Sequence, residues 1–283
     1  METVRSTDEI RNWVESWRLE NRSVGFVPTM GALHEGHLAL VRHASQLTDR
    51  VVVSIFVNPT QFGAGEDFDL YPRNEQQDSE LLQEGGCHLL FLPEPSTIYP
   101  VGHSTYVEVE TPAERLEGEF RPGHFRGVAT VVTQLLNLVR PNVAVFGRKD
   151  AQQLAVVRRL VRDLHLPVEI ASHPTVREPD GLAMSSRNAY LSAEERTAAS
   201  AIYRSLSSAR QRIEQGERSA EAIRRVLSEV LEREPLIDIE YAEVVEADTF
   251  EPIRRLRGSI VMPVAVRIGT TRMIDNFSLE VDG

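Results

Sequence analysis

Two histidines three residues apart, His34 and His37, are the groups whose type and spacing point most directly to chemistry. They close the stretch Phe26-Val27-Pro28-Thr29-Met30-Gly31-Ala32-Leu33-His34-Glu35-Gly36-His37. At that spacing two imidazoles share one face of a helix start and can donate to phosphate oxygens. A metal pair is the other reading, but His-Glu-Gly-His is one residue short of the zinc-protease helix motif, and a third donor is required. Lys149-Asp150 is a second cluster. Its amine can pair with phosphate and its carboxylate can accept from ribose hydroxyls, or the two form a solvated pair at a helix start. Ser185-Ser186-Arg187 is a third. Two hydroxyls and a guanidinium in a row can wrap a triphosphate, or the segment is a linker. Asn58 and Gln61 are candidate substrate contacts, with turn chemistry as the alternative. Gln152 and Gln153 follow Lys149 closely enough to reach the same region.

The elements that must position these groups follow from apolar periodicity. Residues 24–27 read as a short buried strand, and Leu40, Val41, Ala44 and Leu47 recur at helical spacing. The histidines therefore lie in a strand-to-helix turn. Such a turn is expected to offer unpaired backbone N–H groups and a positive helix dipole to an anion. Residues 51–57 form an apolar run broken only by Ser54, as in a parallel strand covered on both faces. Asn58 and Gln61 come just past its carboxyl end, where open α/β sheets bind ligands. A helix is expected near residues 74–83 and carries Asp78. A strand follows at 87–92, and a candidate edge strand at 105–109. The Gly- and Pro-rich stretch 117–127 holds Arg121, His124 and Arg126, and reads as a flap over a site or as a plain surface loop.

The remaining chain repeats the first layout and then changes. A helix at 128–139 stops before Pro141, a buried strand at 143–146 leads to Gly147-Arg148-Lys149-Asp150, and a helix runs from 151 to about 164. A strand at 168–171 ends this half. Capping boxes are expected at Ser6 with Glu9 and at Ser192 with Glu195. Two helices and three strands, near 238–246, 259–268 and 272–281, complete the chain, with a hairpin at Gly269-Thr270. An α/β half is thus followed by an α+β half with an antiparallel sheet. We place the division at 1–176 and 177–283.

Composition narrows the function. With 31 Lys and Arg against 42 Asp and Glu, the net charge of −11 argues against nucleic-acid and anionic-membrane partners. The single cysteine, Cys87, excludes an intrachain disulfide and fits a reducing compartment. It reads as a buried strand residue. No apolar run is long enough to span a bilayer, and the N-terminus lacks a signal peptide's plan, so a cytoplasmic location is expected.

Five stretches together resemble the pantothenate synthetase (pantoate–β-alanine ligase) family. They are Gly25 to His37, Val57-Asn58-Pro59-Thr60-Gln61-Phe62-Gly63, Arg121-Pro122-Gly123-His124-Phe125-Arg126-Gly127-Val128, Lys149-Asp150-Ala151-Gln152-Gln153-Leu154 and Asp180-Gly181-Leu182-Ala183-Met184-Ser185-Ser186-Arg187-Asn188. They stand in the family's order and span nearly the whole chain. His34-Glu35-Gly36-His37 also resembles the His-Ile-Gly-His element of nucleotidyltransferases and class I aminoacyl-tRNA synthetases, and Met184-Ser185-Ser186-Arg187 resembles their second phosphate-binding loop.

The resemblance implies a Rossmann-like domain, a smaller C-terminal domain and a homodimer. It implies a ligase that activates (R)-pantoate with ATP and Mg²⁺ as an acyl adenylate, then passes the acyl group to β-alanine. By motif, His34, His37, Lys149, Ser185 and Arg187 hold the phosphates. Met30, Gly31, Ala32, Leu33, Glu35, Gly36, Arg148 and Ser186 complete the ATP-binding stretches, and Gly147, Asp150, Val176 and Met184 line the nucleoside. Gln61 and Gln153 hold pantoate, with Asn58 and Arg121 beside them, and Asp78 matches a position tied to metal. Arg148 and Ala151 depart from the family's pattern. A nucleotidyltransferase that keeps the nucleotide in its product, or a nucleotide-binding regulator, are the readings from other classes; release of free AMP separates them.

Overall fold

A computed structural model describes residues 1–282. They divide into two compact units: Met1–Arg148 with Val156–Pro174, and Lys149–Ala155 with the chain from Thr175 onward.

In the first unit, β1 (Glu2–Val4) leads to α1 (Thr7–Leu19), whose Ser6–Glu9 capping box forms as expected. Then come β2 (Val24–Thr29), α2 (Glu35–Leu47), β3 (Arg50–Ile55), α3 (Glu75–Glu84) and β4 (Leu89–Phe91). Two single-turn helices, α4 (Pro95–Ile98) and α5 (Glu117–Phe120), precede α6 (His124–Val139) and β5 (Val143–Gly147). The helix α7 (Ala151–Asp163) begins in the segment grouped with the second unit, and β6 (Glu169–His173) follows it.

The six strands form one parallel sheet in the order β1-β4-β3-β2-β5-β6. Strand order runs outward from β2 through β3 and β4 on one side, and through β5 and β6 on the other. The topological switch therefore lies between β2 and β5, and the crevice at their carboxyl ends is where such sheets bind ligands. Val27, Val41, Val51, Val53, Leu82, Leu90 and Val145 pack in a core on one face of the sheet. Phe26, Val52, Ala144 and Phe146, which alternate with them, are buried as well, so both faces are covered and the central strands read as unbroken apolar runs. Cys87 is buried in that core, and burial pushes its thiol up to about 12.

In the second unit, α8 (Ala193–Glu214) starts at the expected Ser192–Glu195 capping box and α9 (Ala220–Leu231) follows it. The strands β7 (Ile237–Ala242), β8 (Val245–Glu246), β9 (Gly258–Ile268) and β10 (Thr271–Val281) make an antiparallel sheet. The β9–β10 hairpin pairs over its whole length, from Thr271 opposite Ile268 to Val281 opposite Gly258. Ile202, Leu206, Leu227, Met262, Val264 and Met273 form the core of this unit.

Several expectations change. Residues 105–109 are not a strand: Val107 donates its N–H to Thr130 Oγ1 at 3.0 Å, and Val107 and Val109 pack on Phe125 and Ala129 of α6. A side-chain acceptor thus replaces the ladder partner. The single strand expected near 238–246 is two, with an irregularity between Ile239 and Tyr241. The stretch 117–127 is folded into α5 and the start of α6, where His124 and Phe125 are buried. It is more than a plain surface loop, because Arg121 pairs with Glu66 and Glu117 and His124 bonds to Gln61 O.

Candidate active site

The chain leaves β2 at Thr29 and reverses through Gly31 and Ala32, both with positive φ, at +85° and +49°. Asp78 of α3 makes this turn possible. Its two carboxylate oxygens accept the N–H of Ala32 at 2.9 Å and of Leu33 at 2.8 Å. Asp78 is only 3% exposed; burial raises its carboxyl above the ordinary value against the pull of those two N–H groups. Gly31 donates more weakly to Thr29 Oγ1, at 3.3 Å. The expectation that this turn offers unpaired backbone N–H groups to an anion is therefore corrected. A carboxylate of the protein already takes two of them. The side chain of Leu33 belongs to the core, and Glu35 pairs with Arg42.

What the turn presents is imidazole. His34 caps α2, with its Nδ1 accepting from Gly36 N–H at 3.1 Å. His37 reaches back, and its Nδ1 accepts from His34 N–H at 3.3 Å. This is a capping box with imidazole in both positions. A neutral ring that accepts at Nδ1 carries its proton on Nε2. Both rings are therefore Nε2–H donors, with centroids 4.1 Å apart at the positive end of the α2 dipole.

The second cluster follows β3. Asn58 caps a 3-10 turn, Pro59–Gln61, and is 1% exposed. Its Nδ2 donates to Gln61 Oε1 at 3.0 Å and to Gly127 O at 3.1 Å. Its Oδ1 accepts from Thr60 Oγ1 at 2.9 Å and from Tyr99 at 2.8 Å. Gln61 Nε2 donates to Met30 Sδ at 3.3 Å. Asn58, expected beside pantoate, thus directs its amide into the protein and orients Gln61. Gly127 lets α6 approach: a Cβ there would stand 2.5 Å from Thr60 O.

Arg121, expected at the same site, is also engaged. It binds both oxygens of Glu66 at 2.7 Å and lies 3.6 Å from Glu117. Burial would raise the Glu66 carboxyl, but the Arg121 bonds hold it below its ordinary value. The other arm of Arg121 donates to His124 Nε2 at 3.1 Å, so His124 Nδ1–H donates to Gln61 O at 2.9 Å. Burial, helped by the Arg121 charge, pushes His124 down to about 4, so the ring is neutral at physiological pH. Reading the sequence alone missed Glu66 and the bridging role of His124. An arginine and a histidine three apart at a helix start were the available signal.

In the first unit β5 ends at Gly147, and Arg148 donates to Ser172 Oγ at 3.1 Å. In the second unit Lys149 and Asp150 occupy a 3-10 turn, with Nζ and Oδ1 4.0 Å apart. In the first turn of α7, Gln152 is buried and Gln153 half-buried. The segment 176–184 folds back on itself: Met184 N–H donates to Val176 O at 3.0 Å, and Glu178 N–H to Leu182 O at 2.8 Å. Val176 and Met184 are thereby set side by side. Ser185 caps the 3-10 turn Ser186–Tyr190, accepting from Arg187 N–H at 3.3 Å. Arg196 holds Glu178 at 2.5 Å and Asp180 at 2.6 Å, and Asn188 donates to Glu178 at 2.7 Å.

Comparison with known proteins covers the chain end to end. Residues 2–278 match the model of the family described as Pantoate-beta-alanine ligase. The chain is 52% identical over 281 residues to the pantothenate synthetase of Heliobacterium modesticaldum, covering 99% of this chain and 100% of the relative. It is similar to a pantothenate synthetase structure from Thermus thermophilus, with TM-score 0.93, 48% identity and full coverage of both chains. It is also similar to pantoate-beta-alanine ligase from Francisella tularensis complexed with beta-gamma ATP and beta-alanine, with TM-score 0.79, 34% identity and coverage of 98% and 97%.

Proposed function

The chain belongs to the pantoate-beta-alanine ligase family, and from that premise we propose which of its groups carry the reaction. It is an amide-forming ligase of pantothenate biosynthesis that joins pantoate to β-alanine with ATP. In the first step a carboxylate oxygen of (R)-pantoate attacks the α-phosphorus of ATP, and the bond to pyrophosphate breaks. In the second, the amine of β-alanine attacks the acyl carbon, and AMP leaves with the bonding pair.

The protein's task in step one is electrostatic. A carboxylate and a triphosphate repel, and charge grows on the phosphates as pyrophosphate departs. Fixed donors placed in advance stabilise that charge without reorganising. We assign His34 and His37 through their Nε2–H groups, the Lys149 ammonium, and the Ser185 and Arg187 side chains to this role. Met30, Gly147, Asp150, Val176 and Met184 are assigned to the nucleotide. Gln61 and Gln153 are assigned to the pantoate hydroxyls, which need neutral groups that both donate and accept. Such a site discriminates strongly against an analogue lacking the hydroxyl. Asn58 acts through Gln61, and Arg121 through His124.

Residues 1–176 are assigned the ATP- and pantoate-binding fold, and residues 177–283 the smaller domain with Ser185 and Arg187. We assign Asp78 to holding the Gly31–Leu33 turn through its two backbone N–H bonds rather than to a metal, since among the described residues no group of three His, Cys, Asp or Glu is placed to hold one. Mg²⁺ enters with ATP as part of that substrate. A homodimer in the cytoplasm is the assembly and location in keeping with the family and the composition. No described helix is long and apolar enough to cross a membrane.

The observation that carries this reading is the pair of imidazoles whose Nδ1 atoms both accept, which turns both Nε2–H groups into donors. The test is to supply pantoate and ATP without β-alanine and follow labelled pyrophosphate into ATP. Exchange that requires pantoate and not β-alanine supports the two-step reading. Exchange appearing only with β-alanine replaces it with a concerted one.

A further inference from the structure

Two adjacent buried polar residues on β10 have no part in the assignments above. Asp275 is 3% and Asn276 5% exposed. Successive strand residues face opposite sides of a sheet, so the two reach different neighbours. Asp275 binds Arg177 through both arms of the guanidinium, at 2.5 and 3.0 Å. Arg177 also donates to Gly181 O at 3.0 Å and lies 5.0 Å from the ring centroids of Tyr203 and Phe277. It is thereby clamped into the fold-back that delivers Ser185 and Arg187. On the other side, Asn276 Nδ2 donates to the backbone carbonyl of Lys149 at 2.7 Å.

We propose that Asp275 and Asn276 are positioning residues for the ligase reaction: one strand fixes the Lys149 turn and the Ser185–Arg187 loop against a common reference. The inference rests on the assignment of Lys149 to the phosphates. Its physical basis is rigidity. β10 is paired with β9 along eleven residues, so its backbone is a stiff rule. A lysine ammonium rides on a flexible stem, and its reach is set by where the backbone of its own turn is held. A small misplacement of such a donor costs turnover out of proportion to its size. An aspartate at a core-facing position of a strand, between Met273 and Phe277, needs a partner to be tolerated there, and Arg177 is that partner.

The test is a double-mutant cycle between Asn276 and Lys149, read by pantoate-dependent pyrophosphate exchange, by KM for ATP and for pantoate, and by thermal melting. Asn276→Ala should slow exchange about tenfold, leave KM for pantoate unchanged and leave the protein folded. In the Lys149→Ala background the same change should cost less than about twofold, because its route of action is gone. If Asn276→Ala melts early, Asn276→Asp repeats the cycle with the same side-chain size and no amide donor. A full loss from the Asn276 change in both backgrounds overturns the inference and leaves the Lys149 assignment standing. So does an exchange rate reduced only in proportion to the folded fraction. Normal exchange by Lys149→Ala itself overturns that assignment, and the inference with it.

Discussion

His37 accepts the backbone N–H of His34 at its Nδ1, 3.3 Å away, while His34 accepts that of Gly36 at 3.1 Å. One pair of bonds therefore caps the helix and sets the tautomer of both rings. Structural and chemical roles are inseparable at these two positions. His37→Ala should slow adenylate formation about a hundred- to a thousandfold, the usual cost of removing one donor to developing charge. It should also lower stability by about 1 kcal/mol through the lost cap. Pyrophosphate exchange and urea unfolding, measured on the same preparation, separate the two effects.

Gln153→Ala should weaken pantoate far more than ATP, as should Gln61→Ala. The check is a pair of apparent KM values for each variant. Equal changes for the two substrates would remove the glutamine from pantoate recognition.

Gly127→Ala should act on Gln61 from a distance. The new Cβ meets the backbone oxygen of Thr60 at 2.5 Å, with no flexible side chain to give way, so α6 and the Asn58–Gln61 turn must part. Overpacking of this kind costs roughly 1–3 kcal/mol. A rise in KM for pantoate with KM for ATP held is the expected kinetic mark. A melting temperature equal to that of the wild type would show that the turn yields without strain.

His124 makes stability pH-dependent. Its folded value is pushed from 6.5 down to about 4. The unfolded chain therefore binds the proton more readily, and stability present above pH 6.5 is lost as pH falls through that window toward 4. The loss is roughly 3 kcal/mol if His124 acts alone. Denaturant unfolding at pH 7 and pH 4.5 should show a smaller acid loss in His124→Gln than in the wild type.

Arg177→Leu should destabilise the second unit by about 3–5 kcal/mol, because it strands the fully buried Asp275 carboxylate. Asp275→Asn together with Arg177→Leu should recover part of that loss. A double variant no more stable than the single one argues that the pair is not the main term.

The order of the main helices and strands, the parallel character of the first sheet and the chemistry-bearing clusters were legible in the sequence, whereas β1 and the single-turn helices α4 and α5 were not. The legible features are local properties. Apolar periodicity reports the face each element buries, and the histidine, lysine and Ser-Ser-Arg clusters are contiguous in the chain. The β9–β10 hairpin and two capping boxes were legible for the same reason. What the tertiary structure decided is how each polar group is used. Asp78 lies forty-five residues from Leu33, yet it takes the N–H groups that the local pattern offered to an anion. Arg121 and Asn58 look equally available to a substrate in the sequence, but long-range partners at Glu66, Gly127 and Tyr99 claim them. Asp275 and Asn276 were invisible as a pair of roles, because their partners at Arg177 and Lys149 are 98 and 127 residues away. A sequence states which groups can donate and accept. Only the fold, by burying them together, determines which donor meets which acceptor.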